Sequence, residues 1–295
     1  MNIESCVRSL RRRVIQPSVS LLKVMLRSRR PSPHTAPAAG DVRPLIVMGN
    51  GPSLRSFIEF IGENPQLRAA CDLEAVNFAA ITREFTALRP ESYVLADPHF
   101  FNDGSPDEKV RNLWDSLSRC DWDMTLWLPL QFLDALRPLI ARLPACVSVR
   151  YMNLTPVEGD GALADALIHG GWGMPRPRNV LIPAIMCGMR MGYDTIYIVG
   201  ADHSWSRSLW VDADNRVVSI QPHFYQDDEK EKQRVHAEYA GYHLHDILNS
   251  LTVAFRSYFD IRRYADRHGY RIINATPESF IDAFPRCSYS HILPK

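Results

Sequence analysis

From Leu45 onward, short apolar runs alternate with amphipathic stretches. Leu45–Met48, Leu73–Asn77, Tyr93–Leu95, Met124–Leu128, Val147–Tyr151, Thr195–Val199 and Tyr270–Ile273 have the length and composition of strands. Between them, apolar residues recur at helical spacing over about 54–61, 107–117, 130–142, 179–191 and 232–268, the last interrupted near Gly241. This alternation predicts an α/β fold: a Rossmann-like, doubly wound, mostly parallel sheet. Residues 209–220 depart from it, because two β-prone pieces flank Asp212-Ala213-Asp214-Asn215 as in a hairpin. Residues 203–245 are therefore read as a capping insertion in a catalytic domain spanning 45–285, with 286–295 as a C-terminal tail.

Residues 1–44 form a separate basic arm. Arg8, Arg11, Arg12, Arg13, Lys23, Arg27, Arg29, Arg30 and Arg43 face only Glu4 and Asp41. Its apolar residues recur at helical spacing on either side of Pro17, which predicts two short amphipathic pieces, and residues 32–40 read as a linker. A segment of this kind suits an anionic lipid surface, so membrane-surface contact is expected through residues 1–30. The chain has 295 residues and is 46% hydrophobic, enough for one substantial core. Its net charge of +1 gives no global field for nucleic acid, and no nucleic-acid partner is expected. Six scattered cysteines without a CxxC pair suggest a reducing compartment, and no apolar run has bilayer length, which predicts a cytoplasmic location.

The candidate chemistry gathers at strand ends. Gly49-Asn50-Gly51-Pro52-Ser53 links the first strand to a helix, where free N–H groups and the helix dipole favour an anion, and so predicts a phosphate-cradling turn. Asn77 and Asp97 close the second and third strands and would emerge at the same carboxyl edge. The sixth strand brings Asp202, His203, Ser204 and Trp205 there. Asp202 is suited to accept a proton, attack as a nucleophile or orient His203, and Trp205 to stack on a sugar or base. Tyr225, His236, Tyr239, His243 and His245 add imidazoles and phenols further on, His236 and His243 being seven apart and able to share a helical face. Asp121-Trp122-Asp123 and Asp212-Ala213-Asp214 are the only metal-type spacings, the first misplaced before a strand and the second in a turn, so no metal or other cofactor is expected, although Mg²⁺ is not excluded.

With these residues the chain resembles bacterial sialyltransferases that build lipooligosaccharide outer cores, together with the related DUF115 or MptE-like proteins and motility-accessory-factor glycosyltransferases. The likeness rests on Met48–Leu54, Asn77, Leu95–Phe101, Met191–Asp202 and Ile273–Ser279 in that order. It implies a metal-independent transferase that moves an acidic sugar from a CMP-activated donor to a glycan or glycolipid acceptor, with Asn50, Ser53 and Asn77 around the nucleotide. Asp97 stands where those sialyltransferases carry Asn, so an acceptor-only carboxylate replaces an amide. The histidine base implied by the resemblance has no aligned counterpart, leaving His236, His243 and His245 as substitutes, and Tyr225 and Tyr239 stand in for its phosphate-steadying tyrosines. Arg178 is the nearby cation for the departing phosphate. Two alternatives stay open: a diphosphokinase moving pyrophosphate from ATP to a pterin alcohol, and a non-catalytic nucleotide-binding protein.

Overall fold

The computed structural model describes residues 3–34, 43–218 and 241–292. Seven parallel strands form one sheet in the order β5-β4-β3-β2-β1-β6-β9: β1 Leu45–Met48, β2 Asp72–Val76, β3 Ser92–Val94, β4 Met124–Pro129, β5 Val147–Met152, β6 Thr195–Val199 and β9 Arg271–Asn274. The chain steps outward from β1 to β5, then returns across β1 to place β6 on its other side. This makes the β1/β6 seam the topological switch point, where the carboxyl ends of parallel strands open a crevice.

Strands β1 and β2 are buried along their whole length, as a sheet covered on both faces requires. One face packs Leu45, Val47, Val76 and Ile198 under α8 (Ala162–His169), α9 (Leu181–Arg190) and α10 (Leu244–His268). The other packs Ile46, Met48, Leu73 and Leu126 under α3 (Leu54–Glu63), α4 (Pro65–Ala70), α5 (Arg83–Leu88), α6 (Glu108–Ser118) and α7 (Leu133–Ile140). The doubly wound architecture is thus the one the alternation predicts. The short helices α4, α5 and α8 escape sequence reading because each spans only 6 to 8 residues, too few to establish a period. The predicted hairpin forms, with β7 (Trp210–Val211) antiparallel to β8 (Val217–Val218). Most of the proposed capping insertion, residues 219–240, lies outside the described residues.

The N-terminal segment is not two pieces separated at Pro17. α1 (Ile3–Leu10), a π-helical stretch (Arg11–Ile15) and α2 (Gln16–Arg27) run as one continuous helical segment. In the π register the N–H five residues on from Arg12 would belong to Pro17, which has none, so the Arg12 carbonyl is left to accept from Asp160 N at 2.8 Å. Ser20 Oγ accepts from Glu158 N at 2.8 Å, and Lys23 Nζ reaches Glu158 Oε2 at 3.1 Å. The arm is docked on the body through these contacts and the buried Pro17, Ser20 and Val24. The tail is likewise packed: Tyr289 lies against Phe57 and Phe60 of α3, and Ile292 is buried. No described helix is long and apolar enough to cross a membrane.

Glu74, in the middle of β2, is fully buried and accepts only from Ser92 Oγ, at 2.7 Å, while its Oε1 has no partner. Burial pushes its carboxyl from 4.5 up to about 8. The unfolded chain releases this proton near pH 4.5 and the folded chain keeps it until about pH 8. Stability should therefore be highest below the lower value and fall by about 1.4 kcal/mol per pH unit through that window. Glu74→Gln keeps a Ser92 partner but cannot ionise, so its stability advantage over the unsubstituted chain should grow from near zero at the acid end to a few kcal/mol at the alkaline end. Urea denaturation across this window checks it, and a constant difference would show that Glu74 carries no proton when folded.

Candidate functional site

The turn after β1 is held by its backbone. Gly49 N donates to Val199 O and Gly51 N to Gly200 O, both at 2.8 Å, which carries the β1–β6 pairing beyond the strand ends. A Cβ on Gly49 would stand 2.5 Å from Gly200 O, and Gly200 itself has φ +64. A Cβ on Gly51 would lie 2.0 Å from Asp202 Oδ2. These glycines are required by the approach of two protein backbones and a carboxylate.

That geometry revises the phosphate-cradle expectation. Asp202, at the end of β6, accepts from Ser53 Oγ at 2.8 Å and from Ser53 N at 3.3 Å. Gly51 N is committed to Gly200, Leu54 N to Gly51 O at 3.0 Å, and Pro52 has no N–H. Ser53, just before α3, thus already holds an anion, the protein's own carboxylate, and the neighbouring N–H groups are spent on carbonyls. Ser53 serves Asp202 and is not on the cavity wall.

Beside this seam the carboxyl edge opens into a cavity of about 550 Å³. Gly49, Asn50, Gly51, Asn77, Asp97, Arg178, Asp202, His203 and Trp205 all line it, so nine of the predicted site residues converge in space. Three lining carboxamides have a buried atom with no protein partner: Asn50 Oδ1, Asn77 Oδ1 and Asn179 Nδ2. Side-chain contacts fix two of them, and a backbone contact places the third. Asn50 Nδ2 donates to Val76 O at 3.1 Å, and Asn179 Oδ1 accepts from Leu181 N at 3.1 Å and Tyr258 OH at 2.9 Å. Asn77 sits in the left-handed region at φ 51, its carbonyl accepting from the Tyr93 hydroxyl. Amides with unmet hydrogen-bonding atoms in one cavity can recognise a polar ligand, because leaving them unpaired costs free energy.

His203, also left-handed at φ 52, is buried with Nε2 2.7 Å from Tyr258 OH, and Trp205 covers its ring at a centroid distance of 4.1 Å. Burial pushes its pKa down to about 3, so the ring is neutral near pH 7. It orders the Tyr258–Asn179 chain and brings no positive charge. Positive charge comes from Arg178 and from Arg27 at the end of α2, both exposed, both lining the cavity and neither in an ion pair among the described residues. Arg27 was missed because local composition assigns it to a basic arm. Asn179 was missed because, beside the start of α9, it reads as a helix boundary. Gln131 and Thr155 complete the polar wall.

Other predicted residues stand elsewhere. His243 is the exposed cap of α10, its backbone N donating to Asp246 Oδ2 at 3.0 Å and its ring stacked on His245, and it does not line the cavity. Tyr225 and His236 lie outside the described residues. Asp121 pairs with Arg89, and both Asp212 and Asp214 pair with Arg216. Among the described residues no group of three or more His, Cys, Asp or Glu is disposed to hold a metal ion.

Because Asp202 holds the N–H and hydroxyl of Ser53, the residue that leads into α3, Asp202→Ala should lower stability by about 1 to 2 kcal/mol in chemical denaturation. An unchanged midpoint would show that the carboxylate has no part in holding the β1–α3 turn.

No family model matches the chain, and no curated protein does. A solved structure described as a MAf glycosyltransferase from Magnetospirillum magneticum AMB-1 is similar at 14% identity, with a TM-score of 0.47, over 92% of this chain. The chain spans 38% of the length of that protein.

Proposed function

We propose that this chain is a glycosyltransferase that takes an acidic sugar, of sialic acid or Kdo type, from a CMP-activated donor and passes it to a hydroxyl of a cell-surface glycan or glycolipid precursor. The observation that carries the reading is the cavity at the β1/β6 switch point, where three carboxamides and two arginines without a full set of partners among the described residues meet. Asn50 and Asn77 offer acceptor oxygens and Asn179 a donor, a set that suits the amino, carbonyl and hydroxyl groups of a nucleoside. Arg27 and Arg178 suit the donor's phosphate and the sugar's carboxylate, and Trp205 offers an apolar face for a ring.

In the reaction, the acceptor hydroxyl oxygen attacks the anomeric carbon. The bond from that carbon to the phosphate oxygen breaks, and its electron pair leaves with CMP. The arginines favour this step by neutralising charge as it grows on the departing phosphate. Of the two carboxylates on the wall, Asp97 and Asp202, Asp202 receives the hydroxyl proton, and its Oδ2 is already oriented by Ser53. Neutral His203 holds Tyr258 and Asn179 in place and adds no charge.

Thermal-shift titration with CMP, CDP, UDP, GDP and ATP, each with and without Mg²⁺, tests the donor. CMP should raise the melting temperature without metal. Stabilisation by ATP and Mg²⁺ with none from CMP would replace this reading with pyrophosphate transfer. Arg27→Ala and Arg178→Ala should each weaken CMP binding about ten-fold, the loss of one charge-assisted contact, with stability preserved because both side chains are exposed. Equal affinity in both variants would remove them from the phosphate site.

A further inference from the structure

The docked N-terminal segment turns its inner face to the body and leaves an apolar face outward. Val7, Leu10, Val14, Leu22, Met25 and Leu26 are all more than half exposed, the last two at 74% and 75%. A helix whose only purpose was to pack on the body would bury its apolar residues, whereas here the buried positions are Pro17, Ser20 and Val24. Among the described side chains, the charge that borders the outward face is positive. Arg11, Arg13, Arg29 and Arg30 are exposed, and their side chains have no acidic partner among the described residues. Trp172, 39% exposed, lies at the end of this segment, where its carbonyl accepts from Ser28 Oγ at 2.5 Å.

We infer that this face docks on an anionic lipid bilayer, with the apolar side chains entering the headgroup boundary and the arginines on lipid phosphates. Charge complementarity selects this occupant. A second copy seated face to face would bring the same arginines against each other, whereas anionic lipid neutralises them while the apolar side chains leave water. The indole of Trp172 suits the same boundary. The segment spans residues 3–27 and ends at Arg27 on the cavity wall, so docking sets the cavity beside the lipid surface. Taken with the transferase reading, on which this last step rests, the acceptor is presented from the membrane, as a lipid-linked glycan would be.

The test is co-sedimentation of the full chain with vesicles of phosphatidylcholine alone and of phosphatidylcholine mixed with phosphatidylglycerol. No substrate is present, so failure here leaves the transferase reading standing. The chain should bind the mixed vesicles and release them as salt is raised. Leu22→Glu with Met25→Glu, and separately Arg11→Glu with Arg13→Glu, should each weaken binding at least about ten-fold. Circular dichroism and melting temperature should stay unchanged, since the replaced side chains face solvent. Absence of binding to the mixed vesicles, or binding that neither pair of substitutions alters, would overturn the inference. So would a lipid-free dimer in light scattering that Leu22→Glu dissolves, which would assign the face to a second copy.

Discussion

The approach of β1 to β6 at their carboxyl ends governs the rest of the molecule. Hydrogen bonding there continues into the turn, and only glycine fits at Gly49, Gly51 and Gly200, because a Cβ at any of them would stand 2.0 to 2.5 Å from the neighbouring chain. The approach places Asp202 over the start of α3, where Ser53 fixes it. It also makes the seam a switch point, since the connections that leave β1 and β6 run in opposite directions and leave a crevice between them. Asn50 follows directly from this turn and shares the cavity with Asn77 and Asp97 from the next strands.

Charge in the cavity follows from the same arrangement. A turn rich in glycine before a helix ordinarily offers its N–H groups to a ligand anion, but here the Ser53 N–H and hydroxyl go to a protein carboxylate and the Gly51 and Leu54 N–H groups to protein carbonyls. The α3 terminus therefore offers little to an anionic ligand, and Arg27 and Arg178 are the cavity's positive groups. Buried His203 is neutral because an unpaired imidazolium would lose its hydration without gaining a counter-ion. The wall thus combines the carboxylates of Asp97 and Asp202, the neutral hydrogen-bonding groups of three asparagines and the positive charge of two arginines.

The N-terminal segment joins two roles that its composition does not connect. Its inner positions are stitched to Glu158 and Asp160, its outer positions are apolar and cationic, and its last residue belongs to the cavity. The π-helical stretch before Pro17 lets one continuous segment serve all three, since a carbonyl freed by the proline is used to bind the body.

Much of the fold is legible along the chain because it depends on local periodicity. The strand runs, the long helices, the hairpin and the convergence of Gly49, Asn50, Asn77, Asp97 and Asp202 all follow from the rule that parallel strands share one carboxyl edge. Short helices stayed hidden because six to eight residues cannot display a period. The roles of the site residues depended on contacts distant in sequence. Ser53 lies 149 residues from Asp202, and Arg27 reaches the cavity only because α2 docks beside α8. The alternation of strands and helices suffices to bring Gly49, Asn50, Asn77, Asp97 and Asp202 to one sheet edge, since it permits few topologies. Which of them line the cavity beside Arg27 and Asn179, and which are engaged within the protein, depends on packing, because hydrogen-bond donors and charges satisfied within the protein are no longer available to a substrate.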